Sequence, residues 1–225
     1  MPLLHTSQTN NIYIPGLGRT TDDLAALAPG RDRYVRGYTD EEVAQLPDVP
    51  EGHPQSAVWR HRKASSRRLV EYLALKNKTL SILEVGCGNG WLSFQLSSLP
   101  GNRVLGLDRD LHVLRQAARV FREQPNLKFM CGDFYSDIMT GLTFDTIIFS
   151  ASIQYFPSLN EILSASLLRL KEKGEIHLLD TPIRSRELRI FRHSYMFNPR
   201  SLTNRLLGRS HQLPWIRVTN YRVNR

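Results

Sequence analysis

From residue 80 onward the apolar and polar positions change period in a regular way. Leu80-Ser81-Ile82-Leu83-Glu84-Val85 is a short apolar run that reads as a buried strand, followed by a Gly-rich turn and a helix over 91–98. Pro100-Gly101 ends that helix, and Arg103-Val104-Leu105-Gly106-Leu107-Asp108 reads as a second strand. A helix over 110–123 carries Leu111, Leu114, Ala118 and Phe121 on one face. Further strands are predicted at 127–131 and 144–150, then a helix over 159–170 closed by Lys171, Lys173 and Gly174, then a fifth strand over 175–180. Parallel strands need crossovers, and crossovers bring helices. The alternation therefore predicts an α/β fold, a Rossmann-like doubly wound sheet with helices on both faces.

The flanks are less regular. Upstream, Val58, Leu69, Val70, Tyr72, Leu73 and Leu75 put an apolar face beneath a basic one (Arg60, Arg62, Lys63, Arg67, Arg68), predicting a helix over 57–75. Residues 1–56 are punctuated by Pro and Gly and hold only short helices, at 21–27 and 39–46, each opened by a Thr with acids behind it. After Pro182, residues 188–197 suit strand or helix, 199–207 a short helix, and 215–223 alternates as an edge strand should. The sheet is thus expected to be mostly parallel with an antiparallel C-terminal strand. Three parts follow: an N-terminal extension over 1–56, expected to act as a lid, a core over 57–182, and a C-terminal segment over 183–225 that completes the sheet.

Composition adds a partition of charge. The 225 residues hold 30 Lys and Arg against 21 Asp and Glu. From Thr181 to Arg225 there are ten Arg, no Lys and one acid, Glu187, so this segment carries the whole excess of +9 and the rest is neutral. Such a segment suits an anionic acceptor or surface. Two cysteines, Cys87 and Cys131, make neither a disulfide framework nor a metal-ligand spacing, no run is apolar enough to span a membrane, and the N-terminus has no secretory pattern. A cytoplasmic protein without a metal is expected.

The chemical signal lies in Glu84-Val85-Gly86-Cys87-Gly88-Asn89-Gly90-Trp91, three glycines at alternate positions between strand and helix. Such a turn lets a nucleoside ligand lie against bare backbone at a helix N-terminus. The dinucleotide fingerprint fails, because its last glycine falls on Trp91 counting from Gly86 and on Ser93 counting from Gly88; the P-loop fails for want of Gly-Lys-Ser/Thr. What remains is acid-x-Gly-x-Gly-x-Gly.

In this motif and the strand–helix alternation over 57–181, the chain resembles the class I S-adenosylmethionine-dependent methyltransferases, and among them the small-molecule type that includes quinone-biosynthesis C-methyltransferases. The resemblance implies S-adenosylmethionine as cofactor, with Gly86, Cys87, Gly88 and Gly90 against it and Glu84 near its ammonium. It places Asp108, 24 residues after Glu84, on the ribose hydroxyls with Arg109 beside it, Asp133 on the adenine amino group, and Phe134 beside the ring. Asp108 read alone is equally a helix N-cap, and Asp133 a turn residue. Ser150 and Ala151 would line the cofactor, and Gln154 or Tyr155 would face the acceptor, while Phe156 reads as core. The reaction implied is direct displacement at the methyl carbon, by alignment and desolvation. His53, His61, His177, His193 and Tyr155 are candidates for a base by type alone, with His177, in a strand, reading better as a packed side chain. The Asn/Asp-Pro-Pro-Tyr/Phe segment of amino-group methyltransferases is absent after the fourth strand. Two alternatives stand beside a small-molecule acceptor: RNA, held by the C-terminal arginines and the basic helix face, and a cofactor-binding protein without catalysis.

Overall fold

A computed structural model describes residues 11–14, 37–181, 195–197 and 215–219. Eight strands form one sheet: β1 (Ile12–Tyr13), β2 (Ser81–Val85), β3 (Arg103–Asp108), β4 (Leu127–Cys131), β5 (Phe144–Ser150), β6 (Leu170–Leu179), β7 (Tyr195–Phe197) and β8 (Ile216–Thr219), in the order β1-β4-β3-β2-β5-β6-β8-β7. All pairings are parallel except those of β8 with β6 and β7. Five helices accompany them: α1 (Asp40–Gln45), α2 (Ser56–Ala74), α3 (Trp91–Ser97), α4 (Leu111–Val120) and α5 (Leu159–Leu168). This is the doubly wound architecture expected. One core cluster packs Leu69 and Leu73 of α2, Leu92 and Leu96 of α3 and Leu114 of α4 against one face of the sheet. A second packs Ile162 and Leu163 of α5 with Phe134, Met139 and Ile153 against the other.

Local chemistry explains where the helices start. Thr39 and Glu42 form a capping box on α1. Asp110 accepts from the His112 amide at 3.0 Å to open α4, and Ser158 accepts from Glu161 to open α5. The segment before α2 is tied down as well: Asp40 takes both Arg119 nitrogens at 2.6 and 2.7 Å, and Gln116 donates to the Tyr38 carbonyl.

Three expectations are corrected. Lys171, Lys173 and Gly174 do not close α5. The helix stops at Leu168, and strand pairing resumes with Phe144 against Leu170. Register then shifts, so that Thr146 faces Glu175 and residues 171–174 form an irregular lead-in to β6. Lys171 serves the sheet there, pairing at 2.9 Å with Asp145, whose carboxylate also takes the Ser81 amide of β2. Second, β8 is an interior strand, since β7 covers its outer side. Third, residues 1–56 contribute a strand, β1, to the far edge of the sheet. The helices expected over 21–27 and 199–207, and all of 188–197 outside β7, lie outside the described residues.

Candidate functional site

Strand order reverses between β2 and β5, whose carboxyl ends flank the point from which the chain winds outward in both directions. In open α/β sheets ligands bind at such a crevice. The turn after β2 sits there with Gly86, Gly88 and Gly90 at φ of 75°, 55° and 77°, the left-handed region where only glycine is unstrained. Its amides are anchored to β3: Gly86 and Cys87 donate to the Leu107 carbonyl at 2.7 and 3.1 Å, and Gly88 donates to Asp108 Oδ2 at 2.9 Å. The third glycine is demanded by packing. A Cβ on Gly90 would lie 2.7 Å from the Phe129 ring and 3.0 Å from Ala117 Cβ.

Glu84 points beneath this turn and is 2% exposed. Its Oε2 lies 2.5 Å from Ser93 Oγ of α3, and no ion pair reaches it among the described residues. Burial pushes its carboxyl up to about 8; Ser93 and the more distant Arg62 guanidinium offset part of this, and neighbouring Asp108 adds to it. A buried acid with no cation in direct contact fits a ligand that brings a positive charge, as the ammonium and sulfonium of S-adenosylmethionine do.

Asp108 is not the N-cap of α4; Asp110 is. Asp108 holds the Gly88 amide on Oδ2 and the Asp110 amide on Oδ1, at 2.9 Å each, which aims its carboxylate along the turn. A carboxylate in this position is a suitable bidentate acceptor for a pair of ribose hydroxyls. Asp133 does perform the turn role: its Oδ1 accepts from the Tyr135 amide at 2.7 Å, and its Oδ2 is paired with Arg109. The Phe134 ring is enclosed, 2% exposed, near Phe149 and Tyr135 and under the Arg169 guanidinium. Cys87 and Cys131 are buried thiols outside any disulfide; burial pushes the second up to about 11.

Across the crevice, Ser150 ends β5 and Ala151 turns away at φ 50°. Ser152 Oγ donates to the Val85 carbonyl at 2.5 Å, bracing the ends of β5 and β2 together. Gln154 bonds Ala151 and Thr181, Tyr155 is 43% exposed beside it, and Phe156 packs on Phe149 and Tyr135 as a core residue. Of the candidate bases, His177 is fully buried away from the crevice. Its Nδ1 accepts from Trp215, its Nε2 lies 3.2 Å from Glu175, and burial lowers its basicity. His53 stacks on Tyr38, His61 lies on the exposed side of α2, and His193 lies outside the described residues.

Sequence reasoning missed the contribution of α2. Trp59 packs edge-on against Trp91, the first residue after Gly90, and Arg62 lies 4.9 Å over the Trp59 ring. Ser65 reaches Asp180 at the end of β6. These residues stood in a run that reads only as a basic helix face, with no motif to mark them. The same helix spends part of its charge on pairs, Lys63 with Asp48 and Arg67 with Glu71. In the C-terminal segment, Arg217 turns inward to Tyr72 and Glu175, and the other nine arginines lie outside the described residues. Among the described residues no cluster of His, Cys, Asp or Glu is placed to hold a metal ion, and no helix is long and apolar enough to cross a membrane.

Comparison with known proteins agrees with this geometry. Residues 82–174 match the family model described as a methyltransferase domain. That match covers the strand–turn–helix alternation from β2 to the start of β6, including the three-glycine turn. It is 25% identical over 146 residues to a malonyl-[acyl-carrier protein] O-methyltransferase of Halalkalibacterium halodurans, covering 61% of this chain and 54% of the relative. It is 27% identical over 137 residues to the protein of that name from Acetivibrio thermocellus, covering 60% and 48%. The chain thus spans about half the length of the curated relatives it matches. Among solved structures, S-adenosylmethionine-bound CalS10, an amino pentose methyltransferase from Micromonospora echinaspora, is similar at 20% identity and a TM-score of 0.44, over 58% of this chain and 57% of that one.

Proposed function

We propose that the protein is an S-adenosylmethionine-dependent methyltransferase acting on a small-molecule acceptor. The observation that carries the reading is Glu84, a buried acid with no ion pair among the described residues, set beneath a three-glycine turn at the switch point of the sheet with Asp108 across from it. In this reading Gly86, Cys87, Gly88 and Gly90 form the floor, Glu84 faces the ammonium side, and Asp108 takes the ribose hydroxyls. The Asp133-Phe134 turn, with Arg109, borders the adenine, and Ser150 lines the side from which the acceptor approaches. When bound, the cofactor supplies an electrophilic methyl group on a sulfonium.

The chain's own part is alignment and exclusion of water. The Ser152 bond to Val85 fixes the spacing of the two strand ends, and the Asp108 carboxylate pre-sets the turn before any ligand arrives. The run His53–Tyr38–Trp59–Trp91 brings the segment before α2 to the Gly90 side of the turn, which supports its role as a cover over the site. The names of the curated relatives favour an acidic acceptor.

Calorimetric titration with S-adenosylhomocysteine tests the cofactor assignment; absence of binding would overturn it. Asp108→Ala removes two charge-assisted ribose contacts and the anchor of the Gly88 amide, so affinity should fall about 100-fold. Asp108→Asn, which keeps the shape and an acceptor oxygen, should fall less. Equal affinity in wild type and Asp108→Ala would mean that the ribose lies elsewhere.

A further inference from the structure

On the acceptor side of the crevice, one strand beyond β5, the end of β6 carries Asp180 in the left-handed region at φ 52°. Backbone strain at a non-glycine residue persists where its surroundings hold it, and such positions gather at functional sites. Asp180 is held from α2. Its Oδ1 lies 2.6 Å from Ser65 Oγ, which also lies 3.0 Å from the His61 carbonyl. A hydroxyl has one proton, so both contacts are fully satisfied when Asp180 is protonated and donates to Ser65, which donates to His61. Burial pushes the carboxyl in that direction, against the pull of Ser65, Arg62, Arg68 and His61.

Arg68, three residues and so nearly one helical turn beyond Ser65, sits in the field of Asp180 but makes no ion pair or hydrogen bond with it. Its Nε is buried without a hydrogen-bond partner, and desolvation lowers its basicity. A desolvated guanidinium edge with nothing to donate to is costly, and native structures rarely tolerate one without a ligand or solvent to complete it. Arg62, the other cation on this face of α2, lies over Trp59 and acts on both Glu84 and Asp180. Arg68 is the cation of this pair whose Nε is buried without a partner.

We propose that Arg68 anchors a carboxylate of the methyl acceptor where α2 faces the end of β6, with Asp180 and Ser65 as its flank. The planar fork of arginine matches a planar carboxylate in two parallel bonds, which tetrahedral phosphate and chloride match less well. The proposal rests on the methyltransferase reading and names the acceptor's chemical class.

The test uses the full chain saturated with S-adenosylhomocysteine, with sodium malonate as probe and inorganic phosphate and chloride at matched ionic strength as comparisons. Arginine Nε–H signals are followed by nitrogen-15 correlation spectroscopy, the Arg68 signal being assigned by its loss in Arg68→Lys. Malonate should shift the Arg68 signal saturably with a roughly millimolar Kd, as expected of one charge-assisted fork. Arg68→Gln should weaken malonate about tenfold or more while leaving S-adenosylhomocysteine affinity within about twofold. An unmoved Arg68 signal at about 50 mM malonate, well above that Kd, overturns the proposal. So does an equal response to phosphate, or malonate binding that survives Arg68→Gln. Failure of S-adenosylhomocysteine itself to bind overturns the methyltransferase reading, and the proposal with it.

Discussion

Glu84→Gln is expected to stabilise the ligand-free protein and to weaken its hold on the cofactor, with the gain in stability growing as pH rises. The carboxyl titrates near 4.5 in the unfolded chain and at about 8 in the folded one, because folding buries it beneath the glycine turn and the pull of Ser93 and Arg62 offsets only part of that cost. Between these values the folded state binds more protons than the unfolded state, so the stability contributed by Glu84 is full below pH 4.5 and is lost as pH rises toward 8. At 1.36 kcal/mol per pH unit the loss relative to a neutral side chain is about 2 kcal/mol at pH 6 and about 4 kcal/mol at pH 8, both upper bounds. Glutamine keeps the acceptor oxygen for Ser93 Oγ and carries no charge to bury. The thermal midpoint should therefore rise in the variant, and rise more at pH 8 than at pH 6, in calorimetric scans of the two proteins side by side. Binding of S-adenosylhomocysteine should weaken about tenfold or more, since a charge-assisted contact to the ammonium is lost. A variant less stable than wild type by the same amount at both pH values would show that Glu84 is ionised and compensated in the folded protein.

Gly90→Ala should act in the opposite sense on stability. The added methyl meets the Phe129 ring at 2.7 Å and Ala117 Cβ at 3.0 Å, and the backbone there stands at φ 77°. Left-handed backbone costs an alanine about 1–2 kcal/mol, and overpacking a filled core costs about 1–3 kcal/mol. Neither neighbour is a flexible chain end: Phe129 is a buried ring on β4 and Ala117 lies inside α4. The sum, about 2–5 kcal/mol, corresponds to a fall in melting temperature of roughly 5–15 °C for a domain of this size. Phe129→Leu in the Gly90→Ala background should recover the packing part and leave the backbone part. If the double variant were no more stable than Gly90→Ala alone, the clash would not be with the ring. The third glycine of the turn is thus required by the approach of α3 to the sheet, independently of any ligand.

A third expectation concerns the acid range. Glu175, bonded to Tyr72 and Lys76 and near Arg217 and His177, is held down at about 2 although burial opposes this. Its folded value lies below the unfolded one, so the stability it contributes is present above pH 4.5 and is lost as pH falls toward 2. Glu175→Gln should remove that slope from a plot of melting temperature against pH. The cluster fastens β8 to β6 and both to α2, so early release of residues 215–219 in hydrogen exchange should accompany the change.

The parts of the fold legible in the sequence were those with a local cause. Strands β4 and β5 and the helices α3 and α4 announced themselves through runs of apolar residues, through Pro100-Gly101 and through capping chemistry, all of which act within a few residues. The alternation alone implied a doubly wound sheet, and the three-glycine turn after Glu84 marked its ligand-binding end. What the sequence could not show was decided by pairing and burial between distant segments. The lead-in to β6 looks like a helix terminus because Lys171, Lys173 and Gly174 suit one; register against Phe144 and the Asp145 carboxylate made it strand. The alternation at Ile216–Thr219 marks a strand, but only β7 on its far side makes it interior. Asp108 reads as an N-cap in the chain, whereas in the structure Asp110 caps the helix and Asp108 holds the Gly88 amide. The upward shift of the Glu84 carboxyl arises from desolvation, and the approach of Ser65 and Arg68 to Asp180, more than a hundred positions away, arises from tertiary packing, neither of which a local pattern encodes. The sequence by itself determined the class of fold and the place of the turn that receives the cofactor; the tertiary structure alone decided which side chains are stripped of water around it, and so which charges the site lacks.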